Sequence, residues 1–162
     1  MSENKTTKHR SPHYPFNYCV WLLGRRDYSK KELRDKMKRK DVLPQDIEAT
    51  ITKLDEYKYL KNENELAEQW VKALSARGKG PYFILQSLKK MGLPTAAISD
   101  DAEKEALLKA LRSKRIDPEV LVKYDPKKAA ANAKAKRYVM SRGFNLQRAM
   151  QLLKDELDSS QD

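Results

Sequence analysis

The chain has 162 residues, 40% of them apolar and 35% charged, which is polar for a compact globule but too apolar for a wholly disordered chain. Its net charge of +11 suits a polyanionic partner, such as nucleic acid or an acidic surface, and its single cysteine excludes an intrachain disulfide. Five glycines, few aromatics and abundant Leu, Ala, Lys and Glu favour helix over sheet, and no apolar run approaches membrane-spanning length.

Residues 1–15, "MSENKTTKHRSPHYP", are polar and lack the apolar core of a signal peptide. They read as a disordered arm, and His9 and His13 have too few companion ligands for a metal site. Phe16, Cys19, Val20 and Leu23 follow at offsets 0, 3, 4 and 7, the stripe of an amphipathic helix. Cys19 lies in this apolar run, so it reads as a buried, inert thiol. "SKKE" (Ser29 to Glu32) is a capping box that opens a second helix, on which Leu33 and Met37 share a face. Asp41 marks its stop, and Pro44 suits the first turn of a third helix.

The pattern then recurs. Gly92 lies 51 residues after Asp41, and Gly143 lies 51 residues after Gly92. Each anchor is followed by an apolar residue: Val42, Leu93 and Phe144. Upstream, Leu33, Ile84 and Ala135 share one phase, and Met37, Leu88 and Val139 another. Ala67, Trp70, Val71 and Leu74 repeat the first stripe, "NENE" (Asn62 to Glu65) can cap its helix, and Gly80-Pro81 opens the next one. Pro94 suits the start of a third helix in this second unit. The third unit keeps only Leu121 and Val122 at the first-stripe offsets, so its first helix is expected upstream, in "DAEKEALLKALRSKR". Asp125-Pro126 pairs a capping residue with a first-turn proline. The expected fold is all-α: three tandem three-helix repeats over residues 16–60, 61–101 and 102–157, packed into an elongated, curved array, with a tail at 158–162.

Charge follows the same phase. Residues 25–40 are net +6, residues 76–91 net +4 and residues 127–142 net +6, leaving −5 for the remainder of the chain. The last two windows contain no acid at all. Stacked units would align these windows into a basic stripe that attracts phosphate by counterion release. The acidic surplus gathers in residues 41–70 and after Gln151, where Asp155, Glu156, Asp158 and Asp162 lie.

Signals for catalysis are weak. "RGKGPY" (Arg77 to Tyr82) lacks the upstream glycine and the Gly-Lys-Ser/Thr ending of a phosphate loop and reads as a turn between helices. No His/Cys metal spacing occurs, Ser29 reads as a cap, and Asp100-Asp101 suits a helix N-terminus. The expectation is a non-enzyme without cofactor or metal. Trp21, Trp70 and Tyr57 read as core or inter-unit packing residues; Tyr82, Phe83 and Tyr138 border the basic windows.

Three stretches together carry a resemblance: "YCVWLLGRRDYSKKELRDKM" (Tyr18 to Met37), "ELAEQWVKALSARGKGPYFILQSLKKMGL" (Glu65 to Leu93) and "RGF" (Arg142 to Phe144). In this order and spacing they resemble the RecX family, regulators of the RecA recombinase. The resemblance implies a cytoplasmic, monomeric protein of tandem three-helix repeats. It would bind RecA and RecA–DNA filaments and modulate, chiefly inhibit, recombinase, ATPase and co-protease activity in DNA repair and the SOS response. DNA contact, single- or double-stranded, would be weak and sequence-tolerant. Two positions depart from the family's pattern: Asn62-Glu63-Asn64 stands where acidic residues are usual, and Phe83 where an arginine is frequent. Charge and resemblance together nominate Arg25, Arg26, Lys36, Lys38, Arg39, Lys89, Lys90, Lys136, Arg137 and Arg142 as DNA- or filament-binding residues. The competing expectation is a helix-turn-helix-like regulator acting directly on duplex DNA.

Overall fold

The computed structural model describes residues 11–159. His9 and most of the expected N-terminal arm, like residues 160–162, lie outside the described residues. Among the described residues there are nine α-helices and no strand: α1 Tyr14–Leu23, α2 Lys30–Lys38, α3 Pro44–Glu56, α4 Glu63–Ser75, α5 Pro81–Met91, α6 Asp100–Ser113, α7 Glu119–Val122, α8 Ala129–Ser141 and α9 Leu146–Ser159. The chain divides into two compact units, residues 1–66 and 67–162, and the division falls within α4.

In the first unit α1, α2 and α3 enclose a core of Cys19, Leu22, Leu33, Met37, Ile47, Ile51 and Leu54. Ser29 opens α2 as expected: its hydroxyl accepts the Glu32 N–H at 3.1 Å, and the Glu32 carboxylate accepts the Ser29 N–H at 3.0 Å. Pro44 occupies the first turn of α3. Helix α1 begins at Tyr14, so Tyr14 and Pro15 belong to the helix rather than to the arm.

The second unit holds α5 to α9 and most of α4. Its largest core cluster joins Ala106, Leu107, Ala110 and Leu111 of α6 to Leu121, Ala135, Val139, Phe144, Ala149 and Leu153. Helix α6 therefore packs on α8 and α9 and crosses the boundary expected at residue 101, while α7 supplies only one turn, with Leu121 buried. Pro94 does not start a helix. Residues 93–99 lack regular structure, and α6 begins at Asp100, where the Ser99 hydroxyl accepts the Ala102 N–H at 3.2 Å. A serine cap with three acids in the first turn makes a stronger start than an isolated proline. At the far end α9 runs to Ser159, so residues 158 and 159 are helical rather than tail.

The residues placed in common phase share a common fate. Leu33, Ile84, Met37, Leu88 and Val139 are fully buried and Ala135 nearly so. Burying each of the larger ones removes enough apolar surface from water to contribute about 1.5–3 kcal/mol. The three stops also match. Asp41, Gly92 and Gly143 all have left-handed backbones, with φ of 57°, 70° and 92°. After each, the next N–H reaches back to close the turn: Val42 to the Met37 carbonyl, Leu93 to Leu88 and Phe144 to Val139, at 3.2, 2.9 and 3.3 Å. This ending satisfies carbonyls that a helix otherwise leaves open.

Two turns of the second unit dock on each other. The Gly80 N–H donates to the Arg142 carbonyl at 2.8 Å, and the Tyr82 N–H to the Gly143 carbonyl at 2.9 Å. A Cβ on Gly80 would lie 2.5 Å from the Gly143 carbonyl, and one on Gly143 would lie 2.6 Å from Phe83. Glycine is needed at both positions for close backbone approach.

Candidate nucleic-acid interface

The nominated cations have different surroundings in the two units. In the first unit, three of them lie against aromatic rings. The Arg25 guanidinium sits 4.0 Å from the centre of the Trp21 ring, that of Arg26 sits 3.6 Å from the Tyr28 ring, and Lys36 Nζ is 5.3 Å from the same ring. Arg39, exposed at the end of α2, is close enough for its charge to act on the Tyr18 phenol. Burial raises the Tyr18 pKa first, and neighbouring Tyr14 adds to the rise. Lys38 is exposed beside Arg39.

Much of the positive charge of the 25–40 window, that of Arg26 included, is balanced internally. Arg26 pairs with Glu32 at 2.8 Å, Lys30 with Asp55 at 3.0 Å, Lys31 with Asp35 at 2.7 Å and Arg34 with Glu48 at 2.8 Å. The Arg34 hydrogen bonds hold the Glu48 carboxyl below the usual carboxylate range, and those of Lys31 do the same for Asp35. Such exposed pairs contribute little to stability, but they reduce the field these cations present outward.

In the second unit Lys89 and Lys90 are exposed in the last turn of α5, Arg137 is exposed on α8, and Lys136 beside it is half-buried. Arg142 has a different task. Its Nη2 donates to the Arg77 carbonyl at 2.7 Å and its Nε to the Gly78 carbonyl at 3.2 Å. It thus braces the turn that follows α4 and buttresses the docked turns, a structural task beside its nomination as a contact residue. Lys79 is brought beside it: burial, then the Arg142 charge, lowers the Lys79 pKa, and Lys79 Nζ lies 4.1 Å from the Phe83 ring. The amides of "RGKGPY" face protein rather than phosphate, because those of Gly80 and Tyr82 are committed to the Arg142 and Gly143 carbonyls.

The aromatic residues also differ from expectation. Trp21 is 53% exposed and Tyr57 61% exposed, so neither is a core residue. Tyr57 and Tyr59 meet Phe16 edge-on instead, at 6.0 and 5.8 Å. Trp70 is half-buried. Tyr82 is 68% exposed, whereas the Tyr138 hydroxyl donates to the Ala110 carbonyl. The sequence held a signal for the missed surface: Tyr14, Tyr18, Trp21 and Arg25 are spaced 0, 4, 7 and 11, a second helical stripe beside the apolar one. Among the described residues no group of His, Cys, Asp and Glu could hold a metal ion, and no helix is long and apolar enough to cross a membrane.

The fold is that of an all-α chain of short packed helices with cations on exposed helix ends and beside aromatic rings, and the relatives it resembles are named as regulatory proteins. Residues 16–54 match the model of the first three-helix domain of RecX. The chain is 34% identical over 135 residues to the regulatory protein RecX of Mannheimia succiniciproducens, covering 80% of this chain and 85% of that one. It is 39% identical over 93 residues to the regulatory protein RecX of Bacillus velezensis, covering 57% of this chain and 33% of that longer protein. The crystal structure of RecX from Lactobacillus salivarius superposes with a TM-score of 0.65 at 22% identity, over 91% of this chain and 96% of that one. The chain belongs to the RecX family.

Proposed function

We propose that this protein binds RecA and RecA–DNA filaments and modulates RecA activity in the direction of inhibition. Membership of a family of regulatory proteins carries the reading. The exposed cations Lys38, Arg39, Lys89, Lys90 and Arg137 support it. On this reading they face DNA phosphates or acidic RecA surfaces, and the bound protein obstructs filament extension or strand exchange. Such contacts are sequence-tolerant and weaken with salt. The protein acts as a cytoplasmic monomer built of three tandem three-helix repeats.

The test is to titrate the protein into a DNA-dependent RecA ATPase assay. Inhibition is expected near RecA-equivalent concentrations, and a variant with Lys89, Lys90 and Arg137 reversed to Glu should lose it while keeping its helical circular dichroism. No effect of the wild type at those concentrations would overturn the reading. Tight binding to one preferred duplex sequence would instead favour a direct DNA-binding regulator.

A further inference from the structure

Helix α1 carries two stripes, and the second reaches the core only in part, through Tyr18. Phe16, Cys19, Val20 and Leu23 turn inward, with Cys19 fully buried. The other stripe forms a ladder. The rings of Tyr14 and Tyr18 stand 5.7 Å apart and within 4° of parallel; those of Tyr18 and Trp21 stand 6.3 Å apart at 19°. The Arg25 guanidinium covers the Trp21 ring at 4.0 Å. Tyr28 adds a further ring, flanked by Arg26 and Lys36.

A ladder whose Trp stays half in solvent buries little apolar surface for its size. Packing on the core accounts for Tyr18 but not for Trp21, which is 53% exposed and continues the near-parallel series. Near-parallel rings interleaved with cations suit a ligand that has flat π-faces and a polyanionic backbone. Unpaired nucleic acid has both. A duplex hides its base faces inside the stack, so it could engage only the cations.

We propose that the α1 ladder of Tyr14, Tyr18 and Trp21, with Arg25 and the cations around Tyr28, is a stacking platform for an unpaired nucleic-acid strand. A base takes the place of the Arg25 guanidinium on the Trp21 ring. The displaced Arg25 turns to a backbone phosphate, as do Lys36 and Arg39. This refines the DNA part of the proposed function and makes no use of the RecA part.

The experiment contains no RecA. A fluorescent oligothymidylate of about 16 nucleotides, enough for one stacking site, is titrated with the full chain. The same titration is run with a duplex of equal length and with an abasic strand of equal charge. The expected result is tighter binding of the oligothymidylate than of either control. W21A should weaken it about tenfold, and W21F, which keeps a ring, should recover most of the loss. The chain has two tryptophans, so W70F leaves Trp21 as the reporter, and its emission should be quenched on saturation. Equal affinity for the abasic strand, wild-type affinity of W21A, or an unquenched Trp21 would each overturn the inference. RecA ATPase inhibition is measured on the same preparations. Inhibition without strand binding overturns the ladder alone; strand binding without inhibition overturns the RecA reading alone.

Discussion

Replacing Gly80 by alanine tests whether the docked turns of the second unit hold it together. The new Cβ would lie 2.5 Å from the Gly143 carbonyl carbon and oxygen, which are backbone atoms and cannot swing aside. The turns must separate, and the bonds from Gly80 N–H to Arg142 and from Tyr82 N–H to Gly143 lengthen or break. Two backbone hydrogen bonds contribute about 2 kcal/mol net, and overpacking of this kind costs a further ~1–3 kcal/mol. A loss of about 3 kcal/mol corresponds to roughly 6–12 °C in midpoint for a chain of this size. Gly24 provides the control. Its φ is −67° and the nearest atoms to a Cβ there are at 3.5 and 3.6 Å, an ordinary contact distance. G24A should be neutral or stabilising by ~0.4–1 kcal/mol, through the unfolded chain. Both variants are compared by urea and thermal denaturation followed by circular dichroism. A G80A loss below about 1 kcal/mol, within the range of an ordinary surface substitution, would refute the reasoning.

Three further outcomes are expected. Asp41 holds a left-handed backbone, φ 57°, where the equivalent stops have glycine; D41G should raise the unfolding free energy by about 0.5–1 kcal/mol, and an unchanged or lower stability would show that the aspartate is not strained. Glu103 is buried at the start of α6, and this burial raises its pKa, with Asp100 adding to the rise and Arg148 opposing it. An acid with a raised folded pKa is least unfavourable when protonated, so its stability contribution falls as pH climbs from the unfolded value near ~4.3 through the folded one. E103Q should therefore gain on the wild type in thermal scans between about pH 4 and pH 7, and a shift the other way would mean that the Arg148 attraction dominates. Burial pushes the Cys19 thiol up to about 11, so a maleimide should label it only on unfolding; stoichiometric labelling of the native protein would contradict the buried position.

Features that depend on local geometry were legible in the sequence. A helix stop requires a residue that tolerates positive φ, followed by an apolar residue to cover it, and Asp41-Val42, Gly92-Leu93 and Gly143-Phe144 announce this at equal spacing. The Ser29–Glu32 box and the Gly80-Pro81 start are local in the same sense. What was not legible depended on competing starts or on partners distant in sequence. Pro94 and the Ser99 cap with its first-turn acids are competing local starts five residues apart, and the packing of α6 on α8 and α9 accompanies the second. Nothing near Arg142 says that its guanidinium will meet carbonyls at residues 77 and 78. Trp21 was misplaced for another reason: large apolar side chains are usually core, and its position off the Phe16–Leu23 stripe was the better guide.

The basic windows thus serve two ends that composition cannot separate. Some cations are structural: Arg34 ties α2 to α3 through Glu48, Lys30 does so through Asp55, and Arg142 braces the turn that follows α4. Others, such as Lys38, Arg39, Lys89, Lys90 and Arg137, project from helix ends and outer faces. Arg25 and Lys36 stand between the two groups. Each lies against an aromatic ring, an arrangement that costs little to undo at an exposed site and leaves the charge available to a phosphate. The net charge of +11 therefore includes cations that the fold already pairs, and the neighbours of each cation, not its place in a charge run, separate these groups.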